Sequence, residues 1–262
     1  MTGMPIRWTT AMLDLPPGTV DAALDFWLAA TASTLSPWRG DADEYATLLP
    51  PDADDHLRVQ RFADGPRVHL DLHVGDPAAV RAALVRALAL GAALEHDAGT
   101  HAVLSSPGGY VFCLVRDTGA TRRQAPVPVP APGRPDEHPT ALVDQLCLDV
   151  PARRFDAEVA FWSELTGWAP RRGSVGELVP LERPAGMPLR LMLQRLGADD
   201  PRRTVTAHLD VACTARHAVE RAHVAAGARV RGHGPRWTTL VDPAGLPYCL
   251  TDRDPTSGLL PT

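Results

Sequence analysis

Two stretches of the sequence, VHLDLHV and VTAHLDV, carry the same His-Leu-Asp triplet. Side chains alternate between the two faces of a strand, so His69 shares a face with Asp71, and His208 shares one with Asp210. A neutral imidazole can act as a general base or orient a carbonyl group, and a neighbouring carboxylate fixes its tautomer. The pattern predicts His208, His69 and Asp210 as catalytic candidates. The alternative is a hydrogen-bonded structural role for each histidine.

Side chains on neighbouring predicted strands can also reach a bound molecule. Arg58 and Gln60 lie on one face of their strand, and Arg190 and Gln194 lie on one face of theirs. Guanidinium and amide groups suit an anionic or carbonyl group of a ligand, and cross-strand pairing is the alternative interpretation. Trp237 can supply an apolar pocket wall. We take all five residues as ligand-binding candidates.

The elements that position these residues recur along the chain at nearly one spacing. Corresponding residues in the two halves are separated by 134 to 139 positions. The pairs are Asp14 and Asp149, Trp27 and Trp162, Gln60 and Gln194, His69 and His208, and Cys113 and Cys249. An offset of this length indicates a duplicated domain, because the repeats of solenoid proteins are much shorter.

Within each half, the pattern of a strand, a helix and about three strands occurs twice. One helix is expected to begin with Asp76 as its N-cap and Pro77 in its first position, and to end at Gly91. Trp27 and Trp162 lie on the apolar faces of two other helices and are expected in the core. We predict an α+β fold with two βαβββ modules per domain, which form a curved mixed sheet with the helices outside.

The stretch TGATRRQAPVPVPAPGRPDEHP separates the two halves. Proline recurs in it too often for a regular helix or sheet, which indicates a semi-extended linker. The predicted boundaries are a first domain over residues 1–117, a linker over 118–139, a second domain over 140–254 and a C-terminal tail over 255–262.

Composition limits the classes of function. The formal net charge of -5 argues against the basic surface that nucleic-acid binding requires. The sequence has no apolar run of the roughly 18 residues that a membrane span needs, and its first residues lack the apolar core of a signal peptide. The four cysteines form no CxxC pair and are expected to be buried free thiols, and the absence of lysine excludes Schiff-base chemistry. We expect a cytoplasmic monomer or homodimer without nucleic-acid or membrane partners.

Several short motifs recur in both halves of the chain. They are FW at Phe26 and at Phe161, VHLDLHVGDP, TAHLDVAC, the helix ends LGA and AGA, and DPAGLPYCL from Asp242 onward. The first half has a weaker form of the last motif, with Ser106 in place of aspartate. The combination resembles the vicinal oxygen chelate superfamily of glyoxalase I, bleomycin-resistance proteins and extradiol dioxygenases, and in particular its bacterial glyoxalase-like branch. The resemblance implies tandem glyoxalase-like domains.

Metal-binding members of that superfamily place a histidine or glutamine on the first strand, often a glutamate on the fourth, a histidine on the fifth and a glutamate on the last. The matching positions here are Gln145, Gln194, His208 and Cys249 in the second half, and Thr10, Gln60, His69 and Cys113 in the first. The resemblance thus adds Gln145, Thr10, Cys249 and Cys113 to the ligand-binding candidates. Both glutamates are replaced in each half, and hard cations prefer anionic oxygen donors, so we expect no metal cofactor. A divalent metal, if bound, would be held by Gln145, His208 and Cys249, which suit Zn²⁺ when the thiol is ionised.

These residues and the resemblance lead to one principal hypothesis and two alternatives. The chain is expected to enclose a small, largely apolar organic molecule in a strand-lined cup without a catalytic metal. It would then be a sequestering protein, or a lyase or isomerase of the glyoxalase-like type. The alternatives are a metal-dependent lyase or dioxygenase, and a structural or regulatory module whose cups are filled by side chains.

Overall fold

A computed structural model describes residues 5–62, 64–130, 138–171 and 175–261. The strands belong to two mixed eight-stranded sheets, β1 to β8 and β9 to β16. The first half contains β1 (Trp8–Leu15), α1 (Val20–Thr31), β2 (Thr34–Leu35), β3 (Tyr45–Leu49), β4 (Leu57–Arg61), β5 (Arg67–Gly75), α2 (Pro77–Ala89), β6 (Ala93–Asp97), β7 (His101–Ser105) and β8 (Val111–Arg116). The second half contains β9 (Val127–Pro128), β10 (Thr140–Val150), α3 (Phe155–Thr166), β11 (Leu178–Pro180), β12 (Arg190–Arg195), β13 (Thr206–Cys213), α4 (Arg216–Ala225), β14 (Arg229–His233), β15 (Trp237–Val241) and β16 (Pro247–Thr251). The predicted α+β class is confirmed.

Local sequence explains where the helices begin and end. Asp76 caps α2 by accepting a hydrogen bond from the amide of Ala79 at 2.9 Å, and Pro77 occupies the first turn, where no amide hydrogen is needed. Gly91 follows the helix with a φ of 98°, a left-handed conformation that glycine adopts without steric cost. Both the start and the end of this helix agree with the sequence prediction.

The described chain divides into two compact units that do not follow its two halves. The first unit comprises Met1–Met12, Val68–Arg122 and Leu146–Ala207, and the second comprises Leu13–Arg67, Arg123–Gln145 and His208–Thr262. Each unit therefore combines one module from the first half with one from the second. The sequence left open whether modules pair within a half or between halves. The predicted domain boundaries, which describe the sequence repeat, stay a prediction.

In the first unit, β5 pairs with β8 in parallel, and β8, β7 and β6 follow one another antiparallel. Trp162 of α3 packs edge-on against Phe112 of β8, with ring centroids 5.1 Å apart, and against Tyr110. Trp162 is fully buried, as expected for a core residue. This aromatic contact joins the second module of the chain to the third.

The second unit repeats this arrangement. The strand β13 pairs with β16 in parallel, and β16, β15 and β14 follow antiparallel. Fully buried Trp27 of α1 packs edge-on against Tyr248 of β16 with ring centroids 5.3 Å apart. The β9 strand, from the proline-rich stretch, pairs with β10, and Val127 and Val129 are buried. This part of the predicted linker is therefore packed into the unit; its residues 131–137 lie outside the described residues.

The turn between β15 and β16 is organised by one carboxylate. Asp242 accepts hydrogen bonds from the amides of Ala244 and Leu246, each at 2.8 Å, and from the indole nitrogen of Trp27 at 2.8 Å. Burial raises the pKa of the Asp242 carboxyl above its ordinary value, although these donors oppose the shift. The carboxylate thereby fixes both the turn and the tryptophan of α1.

The corresponding turn between β7 and β8 obtains its carboxylate from elsewhere. Ser106 occupies the aspartate position, and its hydroxyl accepts a hydrogen bond from the amide of Tyr110 at 3.1 Å. Glu158 of α3 accepts the amide of Gly108 at 2.5 Å and the indole nitrogen of Trp162 at 2.9 Å. Glu158, one helical turn before Trp162 on α3, therefore supplies the carboxylate that the turn motif of the first half lacks.

Candidate functional site

The second unit contains a buried polar cluster on adjacent strands. His208 and Asp210 of β13 are 7% and 5% exposed, and the imidazole Nε2 lies 3.3 Å from the Asp210 carboxylate. The side-chain amide of Gln145, from β10, donates a hydrogen bond to the other oxygen of this carboxylate. Strand alternation brings His208 and Asp210 onto one face, and β10 supplies the third member of the chain of contacts.

The electrostatics of this cluster favour an ionised carboxylate. Burial by itself raises the pKa of Asp210, but the neighbouring His208 imidazole opposes this shift, together with Arg253 and the Gln145 amide. The result is a pKa below the ordinary value of an aspartate. The cluster thus presents a buried carboxylate that can hold an imidazole in one tautomer.

Cys249 completes the cluster from β16. It lies opposite Asp210 in the parallel register, and its sulfur is within 4.8 Å of the ligand atoms of His208 and Asp210. The Cys249 thiol is 3.6 Å from the hydroxyl of Thr239 on β15, and the residue is 9% exposed. We call His208, Asp210, Gln145 and Cys249 the His208 cluster.

The first unit holds a matching cluster. The Nε2 atom of His69 lies 3.5 Å from the carboxylate of Asp71, and Cys113 lies opposite Asp71 in the parallel register of β5 and β8. Their ligand atoms are also within 4.8 Å of one another. Burial raises the pKa of the Cys113 thiol, and the hydrogen bond with His69 only partly opposes this shift. We call His69, Asp71 and Cys113 the His69 cluster.

The two clusters differ in the side chain that the first strand of each half supplies, which is Gln145 on β10 and Thr10 on β1. Gln145 contacts Asp210, whereas the hydroxyl of Thr10 lies 2.9 Å from Nε2 of His73. Thr10 and His73 are both fully buried. Thr10 therefore belongs to a separate buried pair on β1 and β5.

The remaining predicted ligand-binding residues are held by other contacts. Gln60 donates to the Tyr45 hydroxyl at 3.3 Å, and Arg58 forms a 2.8 Å ion pair with Asp55. Gln194 accepts a contact from the Cys147 thiol at 3.7 Å.

Arg190 is half-buried on β12 and faces a surface cleft. Trp237 is 46% exposed near the start of β15. Neither residue is a member of the His208 or the His69 cluster.

Sequence reasoning missed two arginine partners of buried aspartates. Arg67 forms a 2.7 Å ion pair with fully buried Asp14, and Arg202 forms a 3.0 Å ion pair with Asp149. The two arginines are separated by 135 positions, as are the two aspartates. The constant offset that revealed the duplicated domain could therefore have identified both arginines.

Comparison with known proteins identifies the fold. A family model described as a glyoxalase-like domain matches residues 11–115 and 145–251. The chain belongs to this glyoxalase-like family. The two matches confirm the tandem repeat inferred from the sequence, and no curated protein sequence matches the chain.

Solved structures with the same fold align with nearly the whole of this glyoxalase-like chain. The Mn(II)-bound glyoxalase from Novosphingobium aromaticivorans has 19% identity and a TM-score of 0.62, and the alignment covers 95% of this chain and 82% of that one. The 2,3-dioxygenase LapB from Pseudomonas sp. KL28 has 14% identity and a TM-score of 0.64, with 100% and 95% coverage. Homoprotocatechuate 2,3-dioxygenase from Arthrobacter globiformis has 14% identity and a TM-score of 0.61, with 95% and 81% coverage. At these identities the similarity establishes the fold alone.

The donor groups of the two clusters do not fit Mn²⁺ or the ferrous centre of a dioxygenase. Mn²⁺ prefers several oxygen ligands, and ferrous oxygenases use two histidines and a carboxylate. Each of these clusters offers one imidazole, one carboxylate and one thiol, and Gln145 adds a neutral amide to the His208 cluster. Zn²⁺ accepts such donors only when the thiol is ionised, and the raised pKa of Cys113 disfavours its thiolate.

Proposed function

We propose that this glyoxalase-like protein binds a small, largely apolar organic molecule at the His208 cluster and needs no catalytic metal to do so. It acts either as a sequestering protein or as a metal-independent lyase or isomerase. The observation that carries the proposal is the chain of contacts from Gln145 through ionised Asp210 to His208.

Such a cluster is costly for a protein that needs only a stable core. Burying a carboxylate requires compensation by hydrogen bonds and charge, and an apolar replacement of similar volume is often equally stable. The chain nevertheless buries a His-Asp-Cys group at the equivalent place in each of its two units. A role in binding or proton transfer gives these polar groups a reason to be there.

The geometry assigns a distinct role to each member of the His208 cluster. Because Asp210 faces Nε2 of His208, the carboxylate favours the tautomer that carries its proton on Nε2. The unprotonated Nδ1 can then accept a hydrogen bond or a proton from a ligand. Gln145 holds Asp210 in place, and Cys249 contributes a small, polarisable surface at the edge of the cluster.

A non-catalytic structural or regulatory module is a second candidate. It is favoured by the low exposure of the cluster, since His208, Asp210 and Cys249 are each no more than 9% exposed. A ligand would then have to displace neighbouring side chains to reach the imidazole. The two functions differ in whether any small molecule stabilises the folded protein.

A thermal-shift screen separates these functions. The compounds are natural products, aldehydes and aromatic metabolites, tested with the wild type and His208→Ala, and with His69→Ala as the matched control. A ligand at a concentration of 100 times its Kd stabilises the native state by about 2.7 kcal/mol. Binding that His208→Ala weakens supports the proposal, and a screen without any shift supports the structural module. Stoichiometric manganese, iron, nickel or zinc in protein purified without chelator would overturn the metal-independent proposal.

A further inference from the structure

Two histidines and one glutamate meet on the surface of the second unit, where α4 lies beside the edge strand β14. His217 and Glu220 are three positions apart on α4, and His233 is the last residue of β14. Residues three apart in a helix lie on one face, so His217 and Glu220 are neighbours on the helix surface. We call His217, Glu220 and His233 the His233 group.

The Glu220 carboxylate is at the centre of this group. The Nε2 atom of His233 lies 3.1 Å from each carboxylate oxygen, and Nδ1 of His217 lies 3.8 Å from Oε2. The Glu220 side chain is 17% exposed, whereas those of His233 and His217 are 52% and 70% exposed. The carboxylate is therefore held against the protein, and both imidazoles stay accessible to solvent.

The strand register explains why these side chains meet. His233 lies opposite Thr238 in the antiparallel pair of β14 and β15, so the two side chains share a face of the sheet. The buried Thr238 hydroxyl donates a hydrogen bond to Oε2 of Glu220 at 3.0 Å. Arg216 donates to the same hydroxyl oxygen at 2.7 Å, and its charge is paired with Asp252 at 2.8 Å. The protein thus orients the carboxylate before any ion binds.

The packing of the helix does not by itself require such a group. Arg81, Leu84 and Asp97 occupy the equivalent positions of the first half, at an offset of 136. Leu84 is buried there on α2. An apolar side chain therefore serves the packing of α2, whereas α4 has a carboxylate with two imidazoles beside it.

Two imidazoles and one carboxylate form a set of ligands that suits Zn²⁺. Zinc binds histidine nitrogen and glutamate oxygen at about 2.0 to 2.2 Å, and a site with two histidines and one glutamate leaves a fourth position for water. Two ligands of a tetrahedral ion with such bonds lie about 3.3 Å apart. The 3.1 Å between His233 and Glu220 is close to this spacing, and the exposed His217 side chain can rotate to shorten its 3.8 Å distance.

We propose that His217, Glu220 and His233 bind a zinc ion that joins α4 to the edge strand β14. The site goes beyond the proposed function, because it shares no residue with the His208 cluster and its ion takes no part in the chemistry there. Bound zinc stabilises the attachment of β14 to the rest of the unit. Because its ligands lie at the surface, the site should lose zinc on dialysis against a chelator and bind it again when zinc is added.

Isothermal titration calorimetry tests this proposal. Zinc chloride is titrated into the full chain after dialysis against a chelator and then against chelator-free buffer. We expect saturable binding of one ion per chain and a higher Tm, because an ion that binds the native state stabilises it. His217→Ala, Glu220→Gln and His233→Ala should each weaken binding at least tenfold, since each removes one ligand. Thr238→Val should weaken it about tenfold, because groups that orient a ligand contribute to metal affinity.

Two further histidine variants are the controls. His96→Ala, at an exposed position on β6, and His208→Ala should leave the affinity for zinc unchanged. No saturable binding, or equal affinity in the wild type and in all three ligand variants, would overturn the proposal. Binding that His208→Ala abolishes and His233→Ala leaves intact would place the ion at the His208 cluster and would also overturn it. The titration starts from dialysed protein, so its outcome is independent of the metal content of the protein as purified, which tests the proposed function.

Discussion

Acidification should destabilise this protein through two histidines that are buried in the second unit. His56 is fully enclosed, and its Nε2 atom lies 3.1 Å from the carbonyl of Val143. His223 packs edge-on against Phe26, with ring centroids 5.3 Å apart, and its Nδ1 atom lies 3.1 Å from the Tyr248 hydroxyl. Burial lowers the pKa of each histidine from 6.5 to about 4. Both imidazoles are therefore neutral in the native state at pH 5.

The sign and size of the effect follow from proton linkage. Between pH 6.5 and pH 4 the unfolded chain binds a proton at each of these histidines and the native chain does not, so stability falls as pH decreases through this range. At pH 5 the two pKa values correspond to a loss of about 2 kcal/mol for each histidine, relative to pH 8. The pair accounts for about 4 kcal/mol, which is a large part of the 5 to 15 kcal/mol typical of a folded protein.

Urea unfolding at several pH values between 8 and 5 measures this loss. The double variant His56→Gln and His223→Gln should be less stable at pH 8, because two buried contacts change, but its stability should depend much less on pH. His138→Gln is the matched control, because His138 is exposed, and it should retain the full pH dependence of the wild type. A wild type whose stability differs by less than about 1 kcal/mol between pH 8 and pH 5 would refute the reasoning, as would a double variant with an undiminished slope.

Two other substitutions test how buried polar groups are satisfied. Glu158→Ala leaves the Gly108 amide and the Trp162 indole without the Glu158 carboxylate as acceptor and should lower the free energy of unfolding by about 2 to 4 kcal/mol. Glu158→Gln should lower it less, and urea unfolding of both variants measures the difference. Arg253→Met leaves the fully buried carboxylate of Asp144 without its two-point ion pair and should lower that free energy by about 3 to 5 kcal/mol. Adding Asp144→Asn to Arg253→Met should restore part of the loss, and a double variant no more stable than the single one would contradict this account.

Local rules predicted the residues that share a face but not their partners across the sheets. Strand alternation alone places His208 next to Asp210, and the structure has them 3.3 Å apart. The contacts of Asp210 with Cys249 and Gln145 depend on the strand register between segments far apart in sequence. A single sequence does not specify that register, because many pairings bury the same apolar faces.

The pairing of modules has a similar explanation. The internal repeat predicts four modules, but it does not say which modules pack together. The choice depends on long-range contacts such as the hydrogen bond from Trp27 to Asp242, whose positions are 215 apart. The replacement of aspartate by Ser106 was visible in the sequence, whereas its compensation by Glu158 required the packing of α3 against the turn.

The most direct test of the account compares His208→Ala with His69→Ala. The measurement is the Kd of the compound that most stabilises the wild type in the thermal-shift screen, determined by calorimetry with and without a metal chelator. Because the Gln145 amide holds the carboxylate of the His208 cluster, the account predicts a larger loss of affinity for His208→Ala, and no effect of the chelator on the wild type. Equal or reversed effects of the two substitutions, or loss of binding in chelator, would contradict it.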